Sequence, residues 1–423
     1  MKRLGLAVSL SLFVMACGST TDDTSMPNVG GSGATGGASS GGSGGATMGG
    51  AAGAGGGQAG MAGAGGSGIG GSGTGGSGTG GSGGGTSGPH TIGGAVTGLF
   101  GTGLKLQNNG GDEITVAKSG PFTFPKTINT GSPYAVTVSA QPTNPAQSCT
   151  VQNGSGTVGT QDVSTVMVAC ELVDSDKDGV PDVADPFPND ATKPKIAQAN
   201  VVYPHTASKL FTMNVSTYAI TEIGAFKGTG YYGSMTDLAV DQWGVIYGVT
   251  FENLWTCDAD TATCYKLAAL PQSFNGLTML PPGTHHPYLD TLVAIANSGA
   301  WYKVSLAGSG TAQLASLGSY GSGYSSSGDA FSIEGVGTYA SVDKAGTASD
   351  VIVSVDPMTG KVTGEIGALG SYNSVYGLAG WQGKVFGFDA SGAVLEIDLK
   401  TSGTKVLATT SNSWWGAGVA TRL

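Results

Sequence analysis

Residues 237–249 read DLAVDQWGVIYGV, two apolar runs parted by Asp241, Gln242, Trp243 and Gly244. Short runs rich in Val, Ile and Leu, separated by a polar turn that contains Gly, read as two strands of an antiparallel hairpin. Two more runs follow, NLWTCD and CYKLAAL, so the unit is strand, turn, strand, turn, strand, turn, strand. The same order returns later as GLAGW, KVFGFD, AVLEIDL and TKVLATT. Each unit opens on a short signature: SMTDLA at Ser234, SFNGLT at Ser273, SSGDAF at Ser326, SVYGLA at Ser374 and SWWGAG at Ser413. Four antiparallel strands recurring every ~40–50 residues form the pattern of a β-propeller blade.

Both ends of this region bear on the blade count. ANVVY, KLFTMNV and AITEIGAF supply three strands, and Trp415 to Leu423 supplies one. Joined, they complete a fifth blade and close the ring without a free edge. Residues 196–423 are therefore read as a five-bladed propeller, with six blades as the alternative. Cys257 and Cys264 flank DADTAT, the turn between two outer strands, where a cross-hairpin disulfide fits. The segments DLAVDQWGVIYGV, VSVDPMTGKV, VFGFDASGAVLEIDLKTSG and SWWGAGV resemble blades of a family of secreted bacterial propellers. That resemblance implies the fold and hardly any activity.

Residues 90–172 alternate apolar and polar positions in TIGGAVTGL, GLKLQ, EITVAK, PFTFP, YAVTVSA, CTVQ and VSTVMVAC, broken by Asn-Gly and Gly-Gly turns. Short strands at this spacing imply a β-sandwich. GLKLQNNGGDEITV, YAVTV and the closing CTV and VMVAC segments resemble an immunoglobulin-like module of bacterial surface proteins. In it Cys149 and Cys170 would staple the last strands, contributing about 3 kcal/mol on a loop-entropy estimate. Four cysteines in two local pairs downstream of an export signal suggest an oxidising compartment.

Between the two β regions, residues 173–195 contain DSDKDGVPDVADPFPND. Counting Asp174 as the first position, Asp176, Asp178, Asp182 and Asp185 fall at the spacing of oxygen ligands in a looped calcium site. Val180 offers a backbone carbonyl, and Gly179 permits the sharp turn. Carboxylates this close repel one another, and Ca²⁺ removes the repulsion. The pattern resembles a thrombospondin type 3 repeat, with Phe187 where that repeat usually has a cysteine. Metal should turn a loose hinge into a stiff joint between sandwich and propeller.

Residues 1–17 carry Lys2 and Arg3, an apolar run from Leu4 to Met15, then Ala16 and Cys17. This reads as an export signal, too short for a spanning helix. Val14 to Cys17 resembles a bacterial lipobox, which implies lipidation of Cys17, and Gly18 after it implies an outer-membrane lipoprotein. Acyl chains would hold the protein to the membrane. Residues 18–89 are a disordered Gly/Ser/Ala-rich tether with a typical span of roughly 45–50 Å. The whole order of parts resembles envelope lipoproteins of myxobacterial type, at the cell surface or on the periplasmic side.

The chain of 423 residues has 77 glycines and a formal net charge of −10. With no basic patch available for phosphates, nucleic acid is excluded as a partner, and a monomer is expected. The loops entering the inner strands carry Tyr231, Tyr232, Phe274, Tyr320, Tyr324, Tyr372, Tyr376, Trp414 and Trp415 beside small polar residues. Of these, Tyr232, Phe274, Tyr324, Tyr376, Trp414 and Trp415 are the candidate contacts for a glycan or protein ligand. Packing between blades would also explain aromatics at repeated positions. Asp237, Asp329 and Glu334 would serve a polysaccharide hydrolase or lyase, although turn preference explains Asp in the signatures without catalysis. A structural envelope protein with no ligand is the third reading. Gly228 to Gly233 matches G-x-G-x-x-G but precedes a strand, so it offers no helix terminus to a phosphate. His285 and His286 are adjacent loop residues, poorly placed to share a metal. Matches to G-x-S-x-G such as Gly41 to Gly45 are accidents of composition.

Overall fold

The computed structural model describes residues 88–306 and 310–423; the leader, Cys17 and nearly all of the tether lie outside the described residues. Every regular element among those described is a β-strand. The chain first builds two facing four-stranded sheets. One runs Gly120–Thr123, Ile92–Thr97, Val163–Leu172, Gln147–Gln152, and the other Asp112–Val116, Leu104–Asn108, Pro133–Ala140, Ser155–Thr157. Alternate residues point inward, as in Leu104 and Leu106 or Val166 and Val168, and they meet in one core with Ile92, Phe122, Phe124 and Val136. Cys149 and Cys170 stand directly opposite each other on neighbouring antiparallel strands and are joined by a disulfide.

From Val201 onward five four-stranded antiparallel sheets follow, here called blades one to five. Blade one combines Val201–His205, Lys209–Asn214 and Ile220–Ala225 with the late strand Gly416–Gly418, which pairs with Val201–His205 on its inner side. Blades two to five start with inner strands Met235–Val240, Gly276–Leu280, Tyr324–Ile333 and Val375–Trp381, and each then steps outward strand by strand. The inner strands lie side by side, and Gly416–Gly418 neighbours both Val375–Trp381 and Met235–Val240. The ring of sheets is thus closed, and the protein contains a β-propeller. Position in the blade dictates composition. Inner strands are covered on both faces and read as continuous buried runs, whereas outer strands such as Thr404–Thr409 are half-buried or exposed.

Hairpin turns are set by aspartates whose carboxylates accept backbone N–H groups just ahead, an Asx turn. Asp258 Oδ1 takes the amides of Asp260 and Thr261, Asp356 Oδ1 that of Met358, and Asp398 Oδ1 that of Lys400. Gly360 closes the Asp356 turn at φ +69°, and the Trp301 indole packs against the hydrogen side of its Cα, so a side chain there would meet the ring. Cys257 and Cys264 form the disulfide expected across the outer hairpin of blade two.

Candidate binding pocket and acidic loop

The repeated signature positions a site because successive residues of a strand point in different directions. Its second position holds Met235, Phe274, Val375 and Trp414, all buried in apolar clusters, and Ser327, which reaches the cavity instead. Its third position holds Thr236, Asn275, Gly328, Tyr376 and Trp415, and all five line one cavity of about 500 Å³ at one end of the ring axis. The ladders of blades two, four and five are irregular here, with bulges at Thr236, at Ser327 to Asp329 and at Tyr376. Such bulges re-aim side chains. Phe251 and Asn297, from turns that follow second strands, and Asp343, near the end of the second strand of blade four, extend the wall, and Ser325, Ser326, Ser327 and Asn373 complete it. Asn275 Oδ1 is buried with no hydrogen-bond partner.

This geometry corrects the expected contact set. Phe274 is 1 % exposed and packs edge-on against Tyr302, and Trp414 is fully buried between Phe211 and Phe388. Both occupy the second signature position, which faces the neighbouring blade. Tyr232 is exposed but gives its hydroxyl to Glu252, and Tyr324 gives its hydroxyl to Glu365. Neither lines the cavity. Tyr376 and Trp415 do. Phe251 and the three asparagines were missed, although aligning the signatures by position would have found Asn275.

The fourth position holds Asp237, Gly276, Asp329, Gly377 and Gly416. Asp237 Oδ1 accepts Leu238 N (2.8 Å) and its Oδ2 accepts Leu277 N (2.6 Å). Asp329 Oδ2 accepts Leu378 N (2.8 Å) and Ala417 N (3.3 Å). Two carboxylates thus cap four of the five fifth-position amides that face the axis. A Cβ on Gly416 would collide with Asp237 and His205, so glycine there makes room for the acids. Asp237 and Asp329 are fully buried; burial pushes both carboxyls up, and Asp237 raises Asp329 further. Burial and mutual repulsion together disfavour ionisation of both carboxyls at once. His205 Nε2 stands 3.8 Å from Asp237 Oδ1, while its Nδ1 meets Thr206 O at 3.0 Å. Glu334 is not with them. It follows the far end of an inner strand and pairs with Arg422.

At that far end the acidic segment docks. Asp174, Asp176 and Asp178 bring carboxylate oxygens within 4.8 Å of one another. Asp182 is turned to Ser175, taking its N and Oγ at 2.7 Å each. Asp185 accepts Phe187 N, and burial with the nearby Asp178, Asp176 and Asp182 pushes its carboxyl up to about 6. Asp176 Oδ2 and Asp185 Oδ2 are buried without a partner. An all-oxygen, all-anionic donor set with two unmet buried acceptors fits a hard divalent cation. Val180 is fully buried, and Phe187 packs on Tyr265 with the Lys193 ammonium over both rings. Tyr247 donates to Ala184 O, and Phe100 of the sandwich stacks on Tyr288 of the propeller at 4.0 Å. Gly228 to Gly233 lies in a loop, and His285 and His286 contact Pro357 O and the amides of Tyr288 and Leu289, so neither motif forms a site.

Compared with family profiles and with curated proteins, the chain has no match. Among solved structures it is similar to the β-propeller domain of Cps50 (Swd1) from Myceliophteria thermophila, at 10% identity and a TM-score of 0.30, over 49% of this chain and 67% of that one. It is also similar to BamB from Moraxella catarrhalis, at 15% identity and a TM-score of 0.27, over 52% and 62%. A third likeness is to the computationally designed Ika8 protein, at 12% identity and a TM-score of 0.26, over 53% and 64%. The match thus spans less than two thirds of BamB and of the designed protein, and the propeller is read from the closed ring of sheets.

Proposed function

We propose that this chain is an envelope lipoprotein, anchored to the outer membrane through Cys17, that displays a β-propeller saccharide-binding module on a calcium-stiffened stalk. One observation carries the binding reading: the third signature position of every blade converges on a single cavity. Trp415 and Tyr376 offer aromatic faces to sugar rings, while the asparagines and serines offer hydrogen-bond donors and acceptors to hydroxyls. The same strand that starts at the cavity with Thr236 ends near Gln242, on the side where the acidic segment docks. The cavity therefore opens away from the stalk, as display requires. In the stalk, Asp174, Asp176, Asp178, Asp182 and Asp185 with the Val180 carbonyl would hold Ca²⁺, whose charge would relieve their mutual repulsion. The sandwich, with its immunoglobulin-like sequence features, acts as a spacer.

A binding role is preferred to hydrolysis because Asp237 and Asp329 are sealed inside the ring, with both Asp237 oxygens and Asp329 Oδ2 engaged by backbone amides, and Glu334 is paired at the other end. A glycan array probed with the full chain and with Trp415→Ala tests the reading. Saccharide binding lost in the variant supports it; a ligand bound equally by both proteins places recognition elsewhere.

A further inference from the structure

The cavity wall is mostly neutral, but carboxylates stand behind it. Asp237 follows lining Thr236, Asp329 follows lining Gly328, and Asp350 accepts the hydroxyl of lining Ser327 at 2.9 Å. All three acids are at most 1 % exposed. Asp350 also takes Val375 N and the Ser341 hydroxyl, and its Oδ1 has no partner. At the rim, the exposed Asp343 has a carboxylate without a hydrogen bond or ion pair among the described residues. The adjacent Lys344 is committed to Glu365 at 2.7 Å, and no Lys or Arg lines the cavity. His205 is the one basic side chain against the buried pair, held at Asp237 Oδ1 and Thr206 O.

Low-dielectric walls lined by one sign of charge focus the field into the space between them. Even with one of Asp237 and Asp329 neutral, the remaining charges make this a negative cavity. Two acceptors, the Asp343 carboxylate and Asn275 Oδ1, await donors. An ammonium group is all donor and positively charged, and it is also attracted to the faces of Trp and Tyr.

We propose that the cavity selects saccharides carrying a free protonated amine, with the ammonium at Asp343 and a sugar face on Trp415. This deepens the saccharide reading above and rests on it. An N-acetyl group in place of the amine would bring neither charge nor three donors. A neutral hexose would fill the same space with weaker electrostatic complementarity.

Titration calorimetry of the full chain at low salt separates the cases, using tetramers of β-1,4-linked glucosamine, N-acetylglucosamine and glucose. The glucosamine tetramer should bind at least about tenfold more tightly than the other two. Asp343→Asn should remove most of that advantage, and added salt should shrink it in the wild type. Equal binding of all three tetramers, or an undiminished amine preference in Asp343→Asn, overturns the inference and leaves the saccharide reading standing. If none of the three binds and the glycan array is also blank, the saccharide reading falls and takes the inference with it.

Discussion

Replacing Asp329 tests whether the axial carboxylates hold the ring together. Asp329→Ala removes the acceptor of two buried amides, Leu378 N and Ala417 N, on blade five and on the closing strand. A buried donor left unmet costs about 1–3 kcal/mol, so the pair accounts for about 2–6 kcal/mol. Relief of repulsion with Asp237 returns part of this, leaving a loss of about 3 kcal/mol. For a domain of this size each kcal/mol moves the melting temperature by about 2–4 °C, which gives a drop of about 6–12 °C. Asp329→Asn behaves differently, since its amide oxygen can still accept both N–H groups and it never ionises. The folded-state rise at Asp329 means that the native carboxyl keeps its proton after the unfolded chain has lost it. Wild-type stability therefore falls as pH climbs above about 4, and the Asn variant escapes that fall. Thermal melts by circular dichroism at pH 5 and pH 8 should show Asp329→Asn near wild type at the lower pH and above it at the higher. A melt of Asp329→Ala within about 2 °C of wild type would refute the capping argument.

Neighbouring tryptophans should separate function from stability. Trp414→Ala should lose about 3–5 kcal/mol in denaturant melts, as an emptied core site does, whereas Trp415→Ala should lose saccharide binding and keep its melting midpoint. Calcium at 10 mM should stabilise the full chain by about 1.4–2.7 kcal/mol if its site binds in the ~10⁻⁴–10⁻³ M range, and Asp176→Ala with Asp178→Ala should abolish the shift in scanning calorimetry. Burial pushes Asp241 up to about 8, with Asp290 adding to the rise. Its contribution to stability is thus lost progressively between about pH 4 and pH 8, and Asp241→Asn should flatten that part of a melting-versus-pH curve.

The strand order of every blade, both disulfides and the late strand that closes the ring were legible in the sequence, because each is written in local pattern. Alternation in YAVTVSA marks a half-exposed strand, and Cys257 and Cys264 can meet only across the hairpin between them. Recognising the cavity residues needed something finer. A change of one position turns a side chain from the neighbouring blade to the mouth, so Trp414 and Trp415 have opposite fates, as do Phe274 and Asn275. Residue type carries no sign of this; alignment of the five signatures does. Asp at the fourth position reads from sequence as turn preference, but in the fold it caps amides on the next blade, a contact set by the side-by-side packing of inner strands.

That closure joins segments far apart in the chain, with Tyr203 opposite Gly418 and His205 opposite Gly416. Until the late strand arrives, the inner side of Val201–His205 is an open seam of unpaired backbone groups. The seam cannot tell its own late strand from that of another molecule, since the pairing is made through main-chain atoms. Dilute refolding should therefore favour the intramolecular stitch, while crowding of unfolded chains should yield exchanged dimers in which each ring is laced by its neighbour.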